Sequence, residues 1–185
     1  KIEEVIQTRS IRKLVHFTRI KNLNSIINYG LLSRDEIEKK KIQVDYNDQD
    51  RRDKWLGAIS LSITNKNLDV FNAFLRRSNT KENDWIEILI SPNILTDKFG
   101  ECIYCWTNAS NYQFDEFREK PDFLKTSTSF KNMFAEAVPR HSNHLIPRTK
   151  HKMNETTHVQ AEVCIFGNIE TKYFLNIEEL KQKII

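Results

Sequence analysis

The stretch from Thr156 to Gly167, TTHVQAEVCIFG, most constrains what this chain can fold into. Val159, Ala161, Val163 and Ile165 are apolar at every second position, the repeat of a strand with one buried face. Gln160 and Glu162 fall on the alternate face and point the same way. A carboxylate set among Val, Ala, Cys, Ile and Phe is costly to bury unless something pairs with it. Two readings fit this stretch alone. Glu162 is either a solvated carboxylate on a half-exposed strand or a reactive carboxylate on a rigid one.

The rest of the chain supplies partners for that strand. Leu14 to Thr18 is short and apolar around His16 and reads as a first strand. Ile20, Leu23, Ile26 and Ile27 recur at helical spacing across Arg19 to Tyr29, and Gly30 suits the position just past a helix end. Asp35 to Lys41 is a charged helical excursion, and DYNDQDRRD, residues 45–53, reads as a solvated loop. Ala58 to Ile63 alternates apolar residues with Ser60 and Ser62. Leu68, Phe71 and Leu75, flanked by Val70 and Phe74, mark a helix ending at the cations Arg76 and Arg77. Trp85 to Ile90 and Glu101 to Trp106 read as strands, and Ser129 to Ala137 as a helix. Val138 to His158 is a long polar and basic loop, the kind that is usually functional. Lys172 to Leu175 reads as a last short strand before a terminal helix. Interspersed strands and helices with alternating polarity predict antiparallel pairing and an α+β fold.

The length of 185 residues suits one domain over residues 1–185 with a sizeable core. Lys and Arg exceed Asp and Glu by 29 to 25, a formal charge of +4 that permits a nucleic-acid partner without demanding one. Three Cys make no disulfide framework, and no apolar run approaches a membrane span. A soluble protein of the reducing cytoplasm, with no membrane partner, is expected.

Several chemistries find little support. Cys102 and Cys105 have C-x-x-C spacing, and His141 and His144 have H-x-x-H spacing. Within a strand, however, Cys102 and Cys105 point to opposite faces, and the His spacing is short for zinc. No metal is expected. No phosphate-cradling Gly motif, nucleophile elbow or H-E-x-x-H stands in the sequence. Cys164 reads as a small core residue.

What remains is a dispersed set: His16, Arg51 or Arg52, Ser60, Ser62, Phe71 and Glu162. Three segments carry it in order, LVHFTRIKNLNSIINYGLLS, DRRD…AISLSITNKNLDVF and QAEVCIFG. Together they resemble the DarT family of DNA ADP-ribosyltransferase toxins over residues 14–167. The resemblance implies the ADP-ribosyltransferase fold, a split, mostly antiparallel sheet with flanking helices and an NAD cleft. It implies that His16, Thr18 and Asn22 bind NAD, with His16 on the adenosine ribose and Ser60 on the matching strand beside them. Phe71 would pack on nicotinamide, Arg51 would be the functional arginine with Arg52 as its neighbour at the cofactor, and Glu162 would be the catalytic carboxylate. Gln160 would face the acceptor, and Arg140, His144, Arg148 and Lys150 of the basic loop would touch the nucleic acid. NAD would be a co-substrate, single-stranded DNA the acceptor, a DarG-like macrodomain antitoxin the partner, and the toxin a monomer.

The chemistry suits those residue types. Breaking the nicotinamide–ribose bond develops positive charge on the ribose, which a fixed carboxylate stabilises. Arginine stays ionised and suits a diphosphate. The Gly-rich stretch of the thymidine-modifying branch is absent, and RRDKWLGAISLSIT stands in its place. That difference favours guanine as acceptor, with thymine next. Alternatives from other classes are an enzyme of the same fold acting on RNA or protein (an RNA 2′-phosphotransferase among them), an NAD-independent nuclease toxin with a His base, and a non-catalytic single-strand binder.

Overall fold

The computed structural model describes residues 1–46, 53–141 and 144–184. Arg51 and Arg52 lie outside the described residues. A five-stranded sheet forms the frame, with strand order β3-β1-β2-β7-β4 and every neighbour antiparallel. Its strands are β1 (Leu14–Arg19), β2 (Ala58–Ile63), β3 (Trp85–Ile90), β4 (Cys102–Cys105) and β7 (Glu162–Phe166). A separate hairpin is built from β5 (Ala137–His141) and β6 (His144–Pro147). The helices are α1 (Ile2–Thr8), α2 (Leu23–Tyr29), α3 (Arg34–Lys40), α4 (Leu68–Ser78), α5 (Ile94–Asp97), α6 (Ser127–Asn132) and α7 (Ile177–Gln182).

The period of two decides which core each side chain joins. On β7, Val163 and Ile165 enter the larger core with Leu61, Ile63 and Tyr104, while Cys164 enters a smaller core with Ala58, Ile103 and Phe114. Cys102 and Cys105 separate in the same way, one into each core. Both faces of this half of the sheet are therefore covered, and Glu162 shares its parity with the smaller core.

The sheet is split. β1 runs beside β3 over its whole length, from Leu14↔Ile90 to Arg19↔Trp85. It pairs with β2 only at Leu14↔Ile63 and Val15↔Ser62. β2 gives its other end to β7, from Ala58↔Phe166 to Leu61↔Val163. The strands β1 and β2 diverge past Val15, and the opening between them becomes the cleft.

Local signals set the flanking elements. Asn67 caps α4 by accepting from the Val70 amide at 3.2 Å. Gly30 closes α2 at φ 77, in the left-handed region, where a Cβ would overlap the Ile169 carbonyl oxygen. The backbone of Leu31 there bonds that of Ile169 in both directions, at 2.9 and 2.8 Å.

Four local expectations change. The strand opens at Glu162 rather than before it, and Val159 is exposed, because His158 and Gln160 form a turn through the Gln160 amide on His158 Nδ1 at 3.0 Å. The helix over Ser129 to Ala137 is shorter and earlier, since Ala137 already pairs with Pro147. The basic loop 138–158 begins as the β5–β6 hairpin, its polar strands paired with each other away from the main sheet. Lys172 to Leu175 is a 3-10 turn with a single bridge, Ile90↔Phe174, held by the Tyr173 hydroxyl on Asp97 at 2.9 Å.

Candidate active site

Glu162 stands at the first position of β7, where pairing with Cys105 of β4 fixes its backbone. The chain leaves β4, turns, and returns Asn108 to the same place. Asn108 Nδ2 donates to Glu162 Oε1 at 2.6 Å. Asn108 Oδ1 accepts from the Ser110 amide at 3.0 Å and from the Ser110 hydroxyl. Glu162 is half-buried and lines a cleft of about 540 Å³, within the usual size of a ligand site.

His16 lies where β1 and β2 part. Its Nδ1 stands 3.0 Å from the Ser60 carbonyl. A carbonyl only accepts, so Nδ1 carries the proton and Nε2 is the ring's acceptor when the imidazole is neutral. The side chain thus replaces a backbone rung lost at the split. Consecutive residues of both strands line the cleft, Val15 to Thr18 and Ala58 to Ser62, as an opened strand pair requires.

Thr18 and Asn22 also line the cleft, and they are tied to each other and to the chain above. Asn22 Nδ2 donates to Thr18 Oγ1 at 3.1 Å and to the Asp45 carbonyl at 3.0 Å. Its Oδ1 accepts from the Asp45 amide at 2.8 Å. Asn22 therefore binds the backbone of Asp45 at two points. Beside it the Arg34 guanidinium sits 4.5 Å from the Tyr46 ring. Asp53 is buried, lines the cleft, and accepts from the Trp55 amide at 3.0 Å. Asp45 and Asp53, the described residues on either side of Arg51 and Arg52 in the sequence, are thus both held at the cleft.

Arg118 holds the second anchor. Its side chain is 10% exposed, and its guanidinium donates to the carbonyls of Asp53 at 3.1 Å, Ala109 at 2.6 Å and Asn111 at 3.1 Å. It also stands 5.0 Å from the Trp55 ring, and its own carbonyl accepts from Trp55 Nε1 at 3.2 Å.

Gln160 joins the cleft from the turn before β7. Its Nε2 donates to Asp69 Oδ2 at 3.2 Å, which turns Oε1 away as an acceptor. Burial lowers the His158 pKa, with a smaller push from Arg140 and an opposing one from Asp69. A neutral His158 is what the Gln160 amide needs at Nδ1.

Phe71 does not line the cleft. It is 2% exposed behind the wall, edge-on to Phe17 at 5.2 Å and to Trp85 at 5.6 Å, with Lys66 Nζ over its ring. Among the described residues, Phe17, Tyr46 and Phe74 are the aromatic residues that reach the cleft. Arg148 is turned inward, donating to Thr157 Oγ1 at 3.2 Å and to the Lys152 and Met153 carbonyls at 2.7 and 3.3 Å. It braces the segment after the hairpin. Arg140, His144 and Lys150 are exposed and lie outside the cleft lining.

Two thiols are poor nucleophiles. Burial pushes Cys102 up to about 12 and raises Cys105, which also neighbours Cys164. Among the described residues no group of three or more His, Cys, Asp or Glu could hold a metal ion. No helix among them is long and apolar enough to cross a membrane.

The residues suit a dinucleotide. The cleft carries a carboxylate at Glu162, an imidazole acceptor at His16, guanidinium groups at Arg34 and Arg77, and the apolar faces of Phe17, Val70 and Phe74. Sequence reasoning missed Asn108, Asp69 and Arg118. Only the Asn-x-Ser spacing of Asn108 and Ser110, an Asx-turn signal, hinted at one of them.

Comparison with known proteins adds to this geometry. No curated protein matches the chain. Thermosipho africanus DarTG in complex with ADP-ribose matches with a TM-score of 0.55 at 16% identity, over 94% of this chain and 47% of that one. This chain therefore spans about half the length of that protein. Thermus sp. 2.9 DarT in complex with NAD+ matches with a TM-score of 0.52 at 10% identity, over 94% of this chain and 88% of that one. These likenesses show the fold, a mixed α/β architecture around a mostly antiparallel sheet. The family model described as "ssDNA thymidine ADP-ribosyltransferase, DarT" matches residues 15–184, through every strand that builds the cleft. The chain belongs to the DarT family.

Proposed function

We propose that this chain transfers ADP-ribose from NAD to a base in single-stranded DNA and releases nicotinamide. The observation that carries this reading is Glu162, held by Asn108 in the cleft that opens where His16 bridges β1 and β2. NAD supplies the ribosyl group: its nicotinamide–ribose bond breaks with the electron pair leaving on nicotinamide, and a base nitrogen takes its place at that carbon.

Glu162 stabilises the positive charge that develops on the ribose and accepts from its hydroxyl. His16 accepts from the other ribose through Nε2. Arg51, with Arg52 beside it, binds the diphosphate; Asp45 and Asp53, which flank them, line the cleft. Gln160 presents Oε1 to an N–H of the incoming base, and the proton that the base nitrogen sheds passes to solvent. Arg140, His144 and Lys150 on the hairpin side meet the DNA backbone and bases. Unpaired bases are required, because the edge that reacts is hidden in a duplex.

Guanine is the acceptor we favour, since the chain has RRDKWLGAISLSIT where a Gly-rich run would mark the thymidine-modifying branch. Thymine is the second reading, supported by the description of the family model. The test is incubation with NAD and single-stranded oligonucleotides that each lack one base, read by mass spectrometry. An adduct of one ADP-ribose is expected wherever guanine is present. An adduct that requires thymine overturns the guanine assignment, and adducts on RNA or protein alone overturn DNA. Expression in bacteria should arrest growth, with relief by a macrodomain protein that removes the adduct.

A further inference from the structure

We infer that Asn108 is a positioning residue that fixes the orientation of the Glu162 carboxylate, and that Ser110 sets which way the Asn108 amide faces. The catalytic part of this inference rests on the proposed transfer reaction. Its geometric part stands on the contacts alone.

Glu162 is the first residue of its strand, and pairing with Cys105 holds its backbone but not its side chain. A glutamate there has several rotamers in reach, and fixing one loses side-chain entropy. The 2.6 Å bond from Asn108 Nδ2 selects one. It is charge-assisted and short, the stronger class of hydrogen bond.

The direction of the Asn108 amide is over-determined. A carboxylate can only accept, so the NH₂ end must face Glu162. The Ser110 backbone amide can only donate, so the carbonyl end must face Ser110, at 3.0 Å. The two one-way constraints agree on a single amide orientation. The turn that carries them is rigid as well. Arg118 holds the carbonyls of Ala109 and Asn111, on either side of Ser110, at 2.6 and 3.1 Å. Asn108 and Ser110 also line the cleft, so the pair acts inside the site rather than behind it. The β4–β7 pairing brings this about: Cys105 lies opposite Glu162, and the turn that follows β4 passes the same carboxylate.

The test uses Asn108→Ala, the near-isosteric Asn108→Asp, and Ser110→Ala. Loss of a hydrogen bond to a charged group predicts that Asn108→Ala lowers kcat about ten- to a hundredfold. Its KM for NAD stays within about threefold, because the bond acts on the reacting geometry rather than on uniform binding. Asn108→Asp sets a second carboxylate against Glu162, so the acid limb of the pH–rate profile moves to higher pH. A residue that only stabilises the fold would move neither the limb nor the kcat–KM split. Ser110→Ala keeps the backbone amide on Asn108 Oδ1 and loses only the hydroxyl's bond, so it gives a smaller loss of kcat.

An activity-free readout separates this inference from the transfer reading. In ¹H–¹⁵N spectra of the protein alone, the Asn108 side-chain amide signals should shift across the acid range and stop doing so in Glu162→Ala. Unmoved signals, or wild-type kcat with an unmoved acid limb in both Asn108 variants, overturn the inference. Wild-type protein that modifies no nucleic acid while the Asn108 signals still follow Glu162 overturns the transfer reading and leaves the positioning contact established.

Discussion

Removing the Arg118 side chain should damage stability and the site together. The guanidinium is 10% exposed and donates to three backbone carbonyls, those of Asp53, Ala109 and Asn111. At about 1 kcal/mol net for each bond, Arg118→Ala loses about 3 kcal/mol. The contact with the Trp55 ring at 5.0 Å adds roughly 0.5–1 kcal/mol. The Asp115 contact at 3.4 Å adds little, since that carboxylate is 69% exposed. The sum is about 3.5 kcal/mol, which in a domain of this size corresponds to a melting temperature lower by about 7–14 °C. Differential scanning calorimetry measures it. Arg118→Lys keeps the charge but places one ammonium where a planar fork reached three acceptors, so it should recover less than half of the loss. Activity well below the melting temperature should fall too, because one guanidinium holds both Asp53, beside the Arg51–Arg52 segment, and the turn that aims Asn108. A melting temperature within about 2 °C of wild type in Arg118→Ala would refute the reasoning.

Other expected outcomes follow from single residues. Glu162→Gln should lower DNA adduct formation at least about a hundredfold with an unchanged melting temperature, measured by mass spectrometry and calorimetry; an adduct at the wild-type rate places catalysis elsewhere. Phe71→Ala should cost about 3–5 kcal/mol in urea denaturation, as a buried ring does. Phe74→Ala, on the cleft wall, should instead raise the KM for NAD with a smaller stability loss, and the reverse pattern would mean that Phe71 is the ring that meets the cofactor. His158 is held below its ordinary pKa by burial, so the unfolded chain binds its proton first on acidification. The neutral-state stability is thus fully present above about pH 6.5 and is lost as pH falls through the lower folded value. The urea midpoint of wild type should drop over that range, and His158→Asn should flatten the drop.

Much of the frame was legible because periodicity reports burial. Leu14 to Thr18, Ala58 to Ile63 and Trp85 to Ile90 each alternate or run apolar, and each is a strand of the main sheet. The opposed faces of Cys102 and Cys105 followed from the same period and hold across the two cores. Val159 misled because it continues the alternation into a turn, where the Gln160 amide takes His158 Nδ1 instead of a neighbouring strand. Phe71 and Phe74 lie on neighbouring parts of one helix face, and sequence spacing does not say which ring meets the cleft. Asn108, Asp69 and Arg118 were illegible for a different reason. Their partners, Glu162, Gln160 and Asp53, are distant in sequence, and only the folded chain brings them together. The bracing by Arg148 was not legible from its charge, since three of its hydrogen bonds go to Thr157, Lys152 and Met153.

The cleft itself depends on one strand serving two halves. β2 pairs with β1 at its C-terminal end and with β7 along the rest, so it carries the register of both. Thr18, Asn22 and His16 belong to the β1 half, while Glu162 and Asn108 belong to the β7–β4 half. Two paired residues on β1 and four on β2's other edge set how the halves face each other. Longer β1–β2 pairing would close the opening, and none would let the halves swing. His16 stands at the last position where this balance can be held, replacing a lost backbone rung with its Nδ1 on the Ser60 carbonyl. In the proposed reaction the same imidazole offers its other nitrogen to the ligand. A substitution at His16 should therefore change two things at once, the width of the split and the acceptor within it. Glu162→Gln changes one, because its backbone remains locked in β7 whatever its side chain carries.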